Sequence, residues 1–204
     1  MSRKDAILQT ATHLFSQKGY ANTSMSEVSE VTGVAGSTIF YHFKTKEDLF
    51  LAVLKGIKNG ITEAFRQYRG NRKFDTGLDM TVDAVAFYLH QASVTDDWFL
   101  LLHRHYPYAL AVVNPECRQL LEEIYTCIVD IFETPIRIGQ QDGSVAPVRS
   151  RKAALILFSM VDGLARLNTH KLYDAGALFE DLIDACRRML QNTESNTKLA
   201  IETS

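Results

Sequence analysis

The sequence predicts an all-α protein of about nine helices, with a short N-terminal helical module followed by a larger helical domain. Throughout the 204 residues, apolar side chains recur at the three- and four-residue spacing of helices, and no segment shows the alternation typical of strands. Helix-capping residues and glycines stand where these periodic segments begin and end. Both observations favour a fold in which helices pack on helices.

Three short helices are predicted at the N-terminus. The first has apolar residues at helical spacing over residues 7–15, before a Lys-Gly pair that is typical of a helix end. Ser24 and Glu27 form a capping-box pattern that begins the second helix. Gly33 separates it from a third helix, so we predict a helix-turn-helix over residues 24–43.

A longer helix and a helical body follow this module. Thr45 and Asp48 form a second capping-box pattern, which begins an amphipathic fourth helix. Periodicity predicts further helices over residues 75–94, 96–112, 115–141, 149–172 and 176–191. Pro107 and Pro135 fall inside the second and third of these and should kink or break them. We therefore divide the chain into an N-terminal module of residues 1–61, a C-terminal domain of residues 62–191 and a polar tail of residues 192–204.

Composition and charge indicate an ordinary globular chain whose two ends differ in charge. Hydrophobic residues make up 46% and charged residues 23%, and no apolar run is long enough to cross a bilayer. The N-terminus lacks the apolar core of a secretory signal, so we expect no membrane partner and a cytoplasmic location. Residues 1–73 carry 11 Lys or Arg against 6 Asp or Glu, whereas the remainder carries 11 against 18. This asymmetry favours polyanion binding at the N-terminal end.

The predicted third helix has the pattern expected of a DNA-recognition helix. Such a helix packs one face against supporting helices and presents the other to the major groove. Val34, Ile39 and Phe43 are spaced to face the support. Small polar residues at the helix start, and a lysine at the start of the next helix, can hydrogen-bond phosphates or base edges.

Residues 33–49, GVAGSTIFYHFKTKEDL, resemble the signature of the tetracycline-repressor (TetR) family. A G-V turn, a small polar start, an aliphatic-aromatic pair, a Tyr-His-Phe end and K-E-D-L occur in the family's order. Residues 15–20 and 23–25 match in the same register. The rest of the chain resembles the family only in helix count and length, as is usual for a variable effector domain.

The resemblance implies a homodimer that binds double-stranded operator DNA. It implies phosphate contacts from Thr23, Tyr41 and Lys46, and base or groove contacts from Gly36, Ser37, Thr38 and His42. Gly36 stands where relatives often carry a longer polar side chain, so we expect the backbone to approach DNA closely there. Ala35 stands where a Ser or Thr hydroxyl often caps the recognition helix.

The function that the resemblance implies is a repressor released from a palindromic operator by a small molecule. A regulator that activates or acts without a ligand is one alternative, and a helical small-molecule-binding protein or enzyme is another. An aromatic-rich part of the body predicts a pocket for a largely apolar or aromatic effector. The predicted lining residues are Phe65, Tyr88, Trp98, Phe99, Leu102, His103 and Tyr106.

The last two predicted helices are apolar on more than one face, which a monomer cannot bury. Paired helices from two copies would cover these faces in a four-helix bundle. The predicted interface residues are Phe158, Val161, Leu164, Leu178, Leu182 and Ile183.

Catalytic and metal sites are not expected. The sequence has no nucleophile elbow, P-loop, GxGxxG or HExxH pattern, so we predict a non-enzyme without a cofactor. His103 and His105 are two residues apart and would point to opposite sides of a helix, which disfavours a shared metal ion. The three cysteines show no CxxC spacing and are predicted to be packing residues.

Overall fold

A computed structural model describes residues 2–70 and 72–192, and it confirms the all-α class, with no strand among these residues. In chain order the elements are α1 (Arg3–Lys18), α2 (Met25–Thr32), α3 (Gly36–His42), α4 (Lys46–Arg69), α5 (Gly77–Val94), α6 (Asp96–Leu102), α7 (His105–Val113), α8 (Pro115–Asp142), α9 (Ser150–Thr169), a 3₁₀ turn (Ala175–Leu178) and α10 (Phe179–Leu190). Apart from Asn192, the predicted polar tail lies outside the described residues. None of the described helices combines the length and apolar character that crossing a bilayer requires.

The helical segment predicted over residues 96–112 is broken into α6 and α7, as Pro107 predicts, whereas α8 continues through Pro135. A continuous helix would press the ring of Pro107 against the carbonyl group of residue 103. Instead, Arg104 adopts an extended backbone and forms the N-cap of α7. Pro107 then lies in the first turn of α7, where its missing N–H removes no helical hydrogen bond.

The described chain divides into two compact units. The first contains the residues up to Glu63 together with Thr95–Tyr125, and the second contains Ala64–Val94 and the described residues after Tyr125. The first unit therefore differs from the predicted N-terminal module by including α6, α7 and the start of α8.

Apolar side chains of α1 and α4 contribute to the core of the first unit. Phe15 of α1 meets Phe50 of α4 edge-on, with ring centroids 5.4 Å apart. Leu49, Val53 and Ile57 of α4 are buried, as their helical spacing predicts. This packing holds the long fourth helix against the first.

The second unit combines an apolar core with one buried ionic group. Phe87 of α5 and Phe132 of α8 are among its largest buried side chains. Glu133 of α8 accepts hydrogen bonds from Arg137 at 2.6 Å and from Arg151 of α9 at 2.9 Å. Burial alone would raise the pKa of Glu133, but the two guanidinium groups outweigh burial and lower it.

Candidate nucleic-acid interface

The turn between α2 and α3 is built by local hydrogen bonds and one glycine. The Ser24 hydroxyl accepts the Glu27 N–H at 3.0 Å and begins α2. Gly33 ends α2 in the left-handed region, at φ 66° and ψ 12°, which glycine adopts without strain. The Ser29 hydroxyl donates to the Val34 carbonyl group at 2.7 Å and closes the turn. These local contacts shape the turn after which α3 begins at Gly36.

The third helix buries one face and exposes the other, as predicted for a recognition helix. Ile39 is fully buried within the unit. Ser37, Tyr41 and His42 are exposed, with Tyr41 at 81%, and Thr38 is half-buried. Positions three and four apart on a helix share a face, so these polar side chains form one outward surface.

The start of α3 lacks both a cap and a side chain. Ala35 makes no side-chain cap hydrogen bond to the helix. A Cβ atom at Gly36 would meet only the Ser29 hydroxyl oxygen, at 3.9 Å, which is an ordinary van der Waals contact. The packing of the chain therefore does not require glycine at position 36, and a close approach to DNA remains a reason for it.

Phe40 is a further candidate contact that was not among the predicted DNA-binding residues. Its ring is 53% exposed although it follows the fully buried Ile39. Phe40 comes three residues after Ser37, so the two side chains are neighbours on the helix surface. An exposed ring at this place can contact a thymine methyl group or a sugar.

Thr23 lies inwards, which corrects the predicted phosphate contact from its side chain. The side chain is 2% exposed. Its hydroxyl group lies 3.3 Å from the Leu14 carbonyl oxygen and 3.0 Å from that of Gly19. Thr23 therefore secures the α1–α2 loop, because this loop folds back over the end of α1.

Lys46 supports the same loop from the start of α4. Its ammonium group donates to the Tyr20 and Thr23 carbonyl groups at 2.8 and 2.9 Å. It also lies 4.2 Å from the centre of the Tyr20 ring. An ammonium group has three donors, so one is left for a phosphate. Lys44, exposed just after α3, is a second cation that a phosphate group could reach.

The residues predicted to line an effector pocket are distributed over both units. In the first unit, Phe99 and Leu102 are buried, and His103 is half-buried. Trp98 covers Gly60, where a Cβ atom would come within 2.2 Å of the indole ring. Tyr106 stacks on a neighbouring tyrosine.

In the second unit, Phe65 meets Phe87 edge-on, and the Tyr88 hydroxyl donates to Asp162 at 2.7 Å. None of the seven predicted lining residues borders a cavity of about 650 Å³ in this unit. Aromatic character pointed to them, but rings also fill cores and pack on one another. The cavity is lined by Tyr68, Ala86, Leu89, His90, Ala92, Ser93, Ala165, Asn168, Asp174, Gly176 and Phe179.

The predicted dimer residues fall on two different faces of α9 and α10. Val161, Leu182 and Ile183 are buried within their own unit, so they are not available to a second copy. Leu178 is exposed, whereas Phe158 and Leu164 are half-buried. An exposed stripe follows the helical period along α9, and its members are Leu155, Ile156, Ser159 and Gly163.

Metal binding and thiol chemistry each require particular arrangements of side chains. Among the described residues, no group of three His, Cys, Asp or Glu side chains could hold a metal ion. Cys117 and Cys186 are buried, and burial raises the pKa of each thiol to about 11. Cys127 is half-buried on α8.

Known proteins resemble the chain in this interface and in its fold. The model of the family described as bacterial regulatory proteins, tetR family, matches residues 7–53. The HTH-type transcriptional regulator AcrR of Shigella flexneri is 29% identical over 164 residues, which cover 78% of this chain and 74% of AcrR.

Solved structures extend the likeness of fold over most of the chain. A transcriptional regulator from Saccharomonospora viridis in complex with choline is 21% identical with a TM-score of 0.79, covering 92% of this chain and 97% of that one. FadR from Bacillus subtilis in complex with stearoyl-CoA is 20% identical with a TM-score of 0.74, covering 91% and 98%.

Proposed function

We propose that the chain is a transcriptional regulator of the TetR family, whose model matches residues 7–53, and that it represses transcription as a homodimer on a two-half-site operator and leaves the DNA when a small molecule binds. The observation that carries the proposal is α3. Ile39 anchors this helix in the unit, while Ser37, Tyr41 and His42 face outwards beside two lysines. A helix with one pinned face and one polar face is suited to the major groove.

Dimerisation supplies the two copies of α3 that a palindrome requires. Two recognition helices bind successive half-sites when they are held about 34–36 Å apart, one turn of DNA. The exposed stripe of α9, with Leu155 and Ile156 beside Ser159 and Gly163, is the surface that we assign to the second copy. Small residues there allow helices to pack closely.

The cavity of about 650 Å³ in the second unit is the effector site that we propose. Leu89 and Phe179 give it apolar surface, whereas Tyr68, His90 and Asp174 supply polar groups. No lysine or arginine occurs among its described lining residues, which favours a neutral or cationic ligand over an anion. Proteins of the same fold are in complex with choline or with stearoyl-CoA. The ligand must therefore be selected by the residues that line the site and not by the fold.

DNA binding is tested with an operator enriched from random duplexes by the wild-type protein. Thr38→Ala should weaken operator binding about 5- to 150-fold and change random-DNA binding little, because a base contact carries ~1–3 kcal/mol of discrimination. Lys44→Ala should weaken both equally and lower the salt slope by about one, because it removes a phosphate contact. Equal losses on both duplexes for Thr38→Ala would contradict the assignment of base readout to α3.

The cavity is tested with Nile red, a neutral aromatic dye, as the probe. The wild-type protein should bind it with a fluorescence increase, and Ser93→Trp should weaken binding by about tenfold or more, because the indole ring would occupy space in the cavity that Ser93 lines. Leu172→Trp is the matched control, since Leu172 is 68% exposed in the same unit and does not line the cavity. Unchanged dye binding by Ser93→Trp would place the effector elsewhere.

A further inference from the structure

The last turn of α1 is held by an arginine from a distant part of the sequence. Arg104, the N-cap of α7, donates from Nε and one terminal nitrogen to the Ser16 carbonyl oxygen, at 2.9 and 2.6 Å. The same terminal nitrogen donates to the Gln17 carbonyl oxygen at 2.7 Å. Carbonyl groups in the last turn of a helix have no partner within it, so the guanidinium group completes this end of α1.

An aspartate of α6 holds the side chains of the same turn. Asp97 accepts hydrogen bonds from the Ser16 hydroxyl at 2.6 Å and the Gln17 amide at 3.0 Å. The His13 Nδ1 atom lies 2.9 Å from its second oxygen. Burial alone would raise the pKa of Asp97, but these three hydrogen bonds outweigh it and lower the pKa, so the carboxylate stays charged at neutral pH.

An aromatic contact continues this grip beyond the helix end. The Tyr106 ring of α7 stacks on Tyr20 of the α1–α2 loop, with centroids 3.8 Å apart and planes at 8°. Lys46 binds the carbonyl group of Tyr20 and thereby ties the loop to α4. Asp97 of α6 and Arg104 at the start of α7 therefore hold the end of α1 by polar contacts. Tyr106 of α7 holds the loop after α1 by ring stacking.

The first helix passes this constraint to the helix-turn-helix. Lys18, at the end of α1, forms an ion pair with Glu27 of α2. The buried Thr23 hydroxyl bonds to the Leu14 carbonyl group of α1. Any tilt of the last turn of α1 must therefore displace α2 and, through the Gly33 turn, α3.

We infer that Asp97 and Arg104 are positioning residues for operator recognition, which hold the end of α1 and thereby fix the orientation in which α3 is presented. The inference rests on the proposed binding of a dimer to two half-sites. Both residues lie outside residues 7–53, which the family model matches, and neither belongs to the outward face of α3.

A positioning role differs measurably from a contribution to stability. One dimer on two half-sites is a bivalent interaction, and its affinity depends on holding both readers at the correct separation. A single half-site makes no such demand. Loss of the Asp97 and Arg104 contacts should therefore lower the affinity for the full operator selectively. It should also weaken discrimination against operators whose half-sites have the wrong spacing.

The experiment measures the binding of Arg104→Ala to the full operator, to a half-site duplex and to an operator with one central base pair inserted. We expect a loss of about tenfold or more on the full operator and less than about twofold on the half-site. The penalty for the inserted base pair should shrink relative to wild type. Arg118→Ala is the matched control, because this arginine of the same unit pairs only with Glu122 on its own exposed helix face among the contacts described.

Two further variants cover the case in which Arg104→Ala does not fold. Arg104→Lys keeps the charge but cannot donate from several nitrogens, and Asp97→Asn keeps one acceptor but loses the charge. Each should give a smaller loss of the same selective kind. Equal losses on full and half-site duplexes, or an unchanged spacing penalty, would overturn the inference. A wild-type protein that prefers no duplex over random DNA would instead overturn the proposed function.

Discussion

Replacing Ile156 with glutamate should convert the dimer into folded monomers and abolish tight operator binding. Ile156 is 52% exposed on α9, so its apolar side chain contributes little to the stability of a single chain. Gly163 lies on the same face, and a Cβ atom there would meet nothing within 4 Å. Glycine inside a helix costs ~0.5–1 kcal/mol relative to alanine, which is understandable if a second helix must approach closely.

The expected effect is large because each dimer would bury one unpaired carboxylate from each copy. Burying an unpaired charge costs several kcal/mol, so the dimer dissociation constant should rise by about a thousandfold or more. Sedimentation at micromolar concentration measures the association state, and circular dichroism checks the fold.

Two control variants separate the interface from the core. Val112→Glu introduces the same carboxylate in place of a valine of α7 that is 81% exposed, and this variant should remain dimeric. Val161→Glu should unfold the chain, because Val161 is fully buried in its own unit. A dimeric Ile156→Glu protein at micromolar concentration would move the interface to another surface.

The helix-turn-helix was predictable from the sequence because its determinants are local. The Ser24 cap, the left-handed Gly33 and the buried spacing of Ile39 and Phe43 are all decided within a few residues. The direction of the Thr23 side chain was not predictable from the sequence, because it depends on how the α1–α2 loop folds over α1.

Contacts between distant residues escaped the sequence patterns. Arg104 binds the carbonyl group of Ser16 across 88 residues, and no periodicity or spacing rule encodes such a pair. For the same reason, the helical period identified α9 as apolar on several faces but could not tell that Val161 faces its own core while Ile156 faces outwards. Aromatic content likewise could not separate rings that pack from rings that border a cavity.

Replacing Gly36 should raise the stability of the protein while lowering its affinity for DNA. A Cβ atom at this position meets only the Ser29 hydroxyl oxygen at 3.9 Å, so the fold accepts a side chain. Gly36→Ala removes the conformational freedom of glycine at the start of α3 and should increase the free energy of unfolding by up to about 1 kcal/mol. The same Cβ atom would occupy space between the helix start and the DNA.

The loss of affinity should grow with the size of the side chain, from about threefold for Gly36→Ala to about 100-fold or more for Gly36→Leu. Leucine would displace a base or phosphate contact worth ~1–3 kcal/mol and would also clash with the DNA. Titration of labelled operator gives the affinities, and thermal unfolding gives the stabilities. Gly56→Ala and Gly56→Leu are matched controls, because Gly56 is an exposed helical glycine of α4 with nothing within 4 Å of its Cβ position. They should stabilise the protein without the graded loss of binding. If Gly36→Leu binds the operator as tightly as the wild-type protein, the backbone at position 36 does not approach DNA closely, and the departure from longer polar side chains at this position needs another cause.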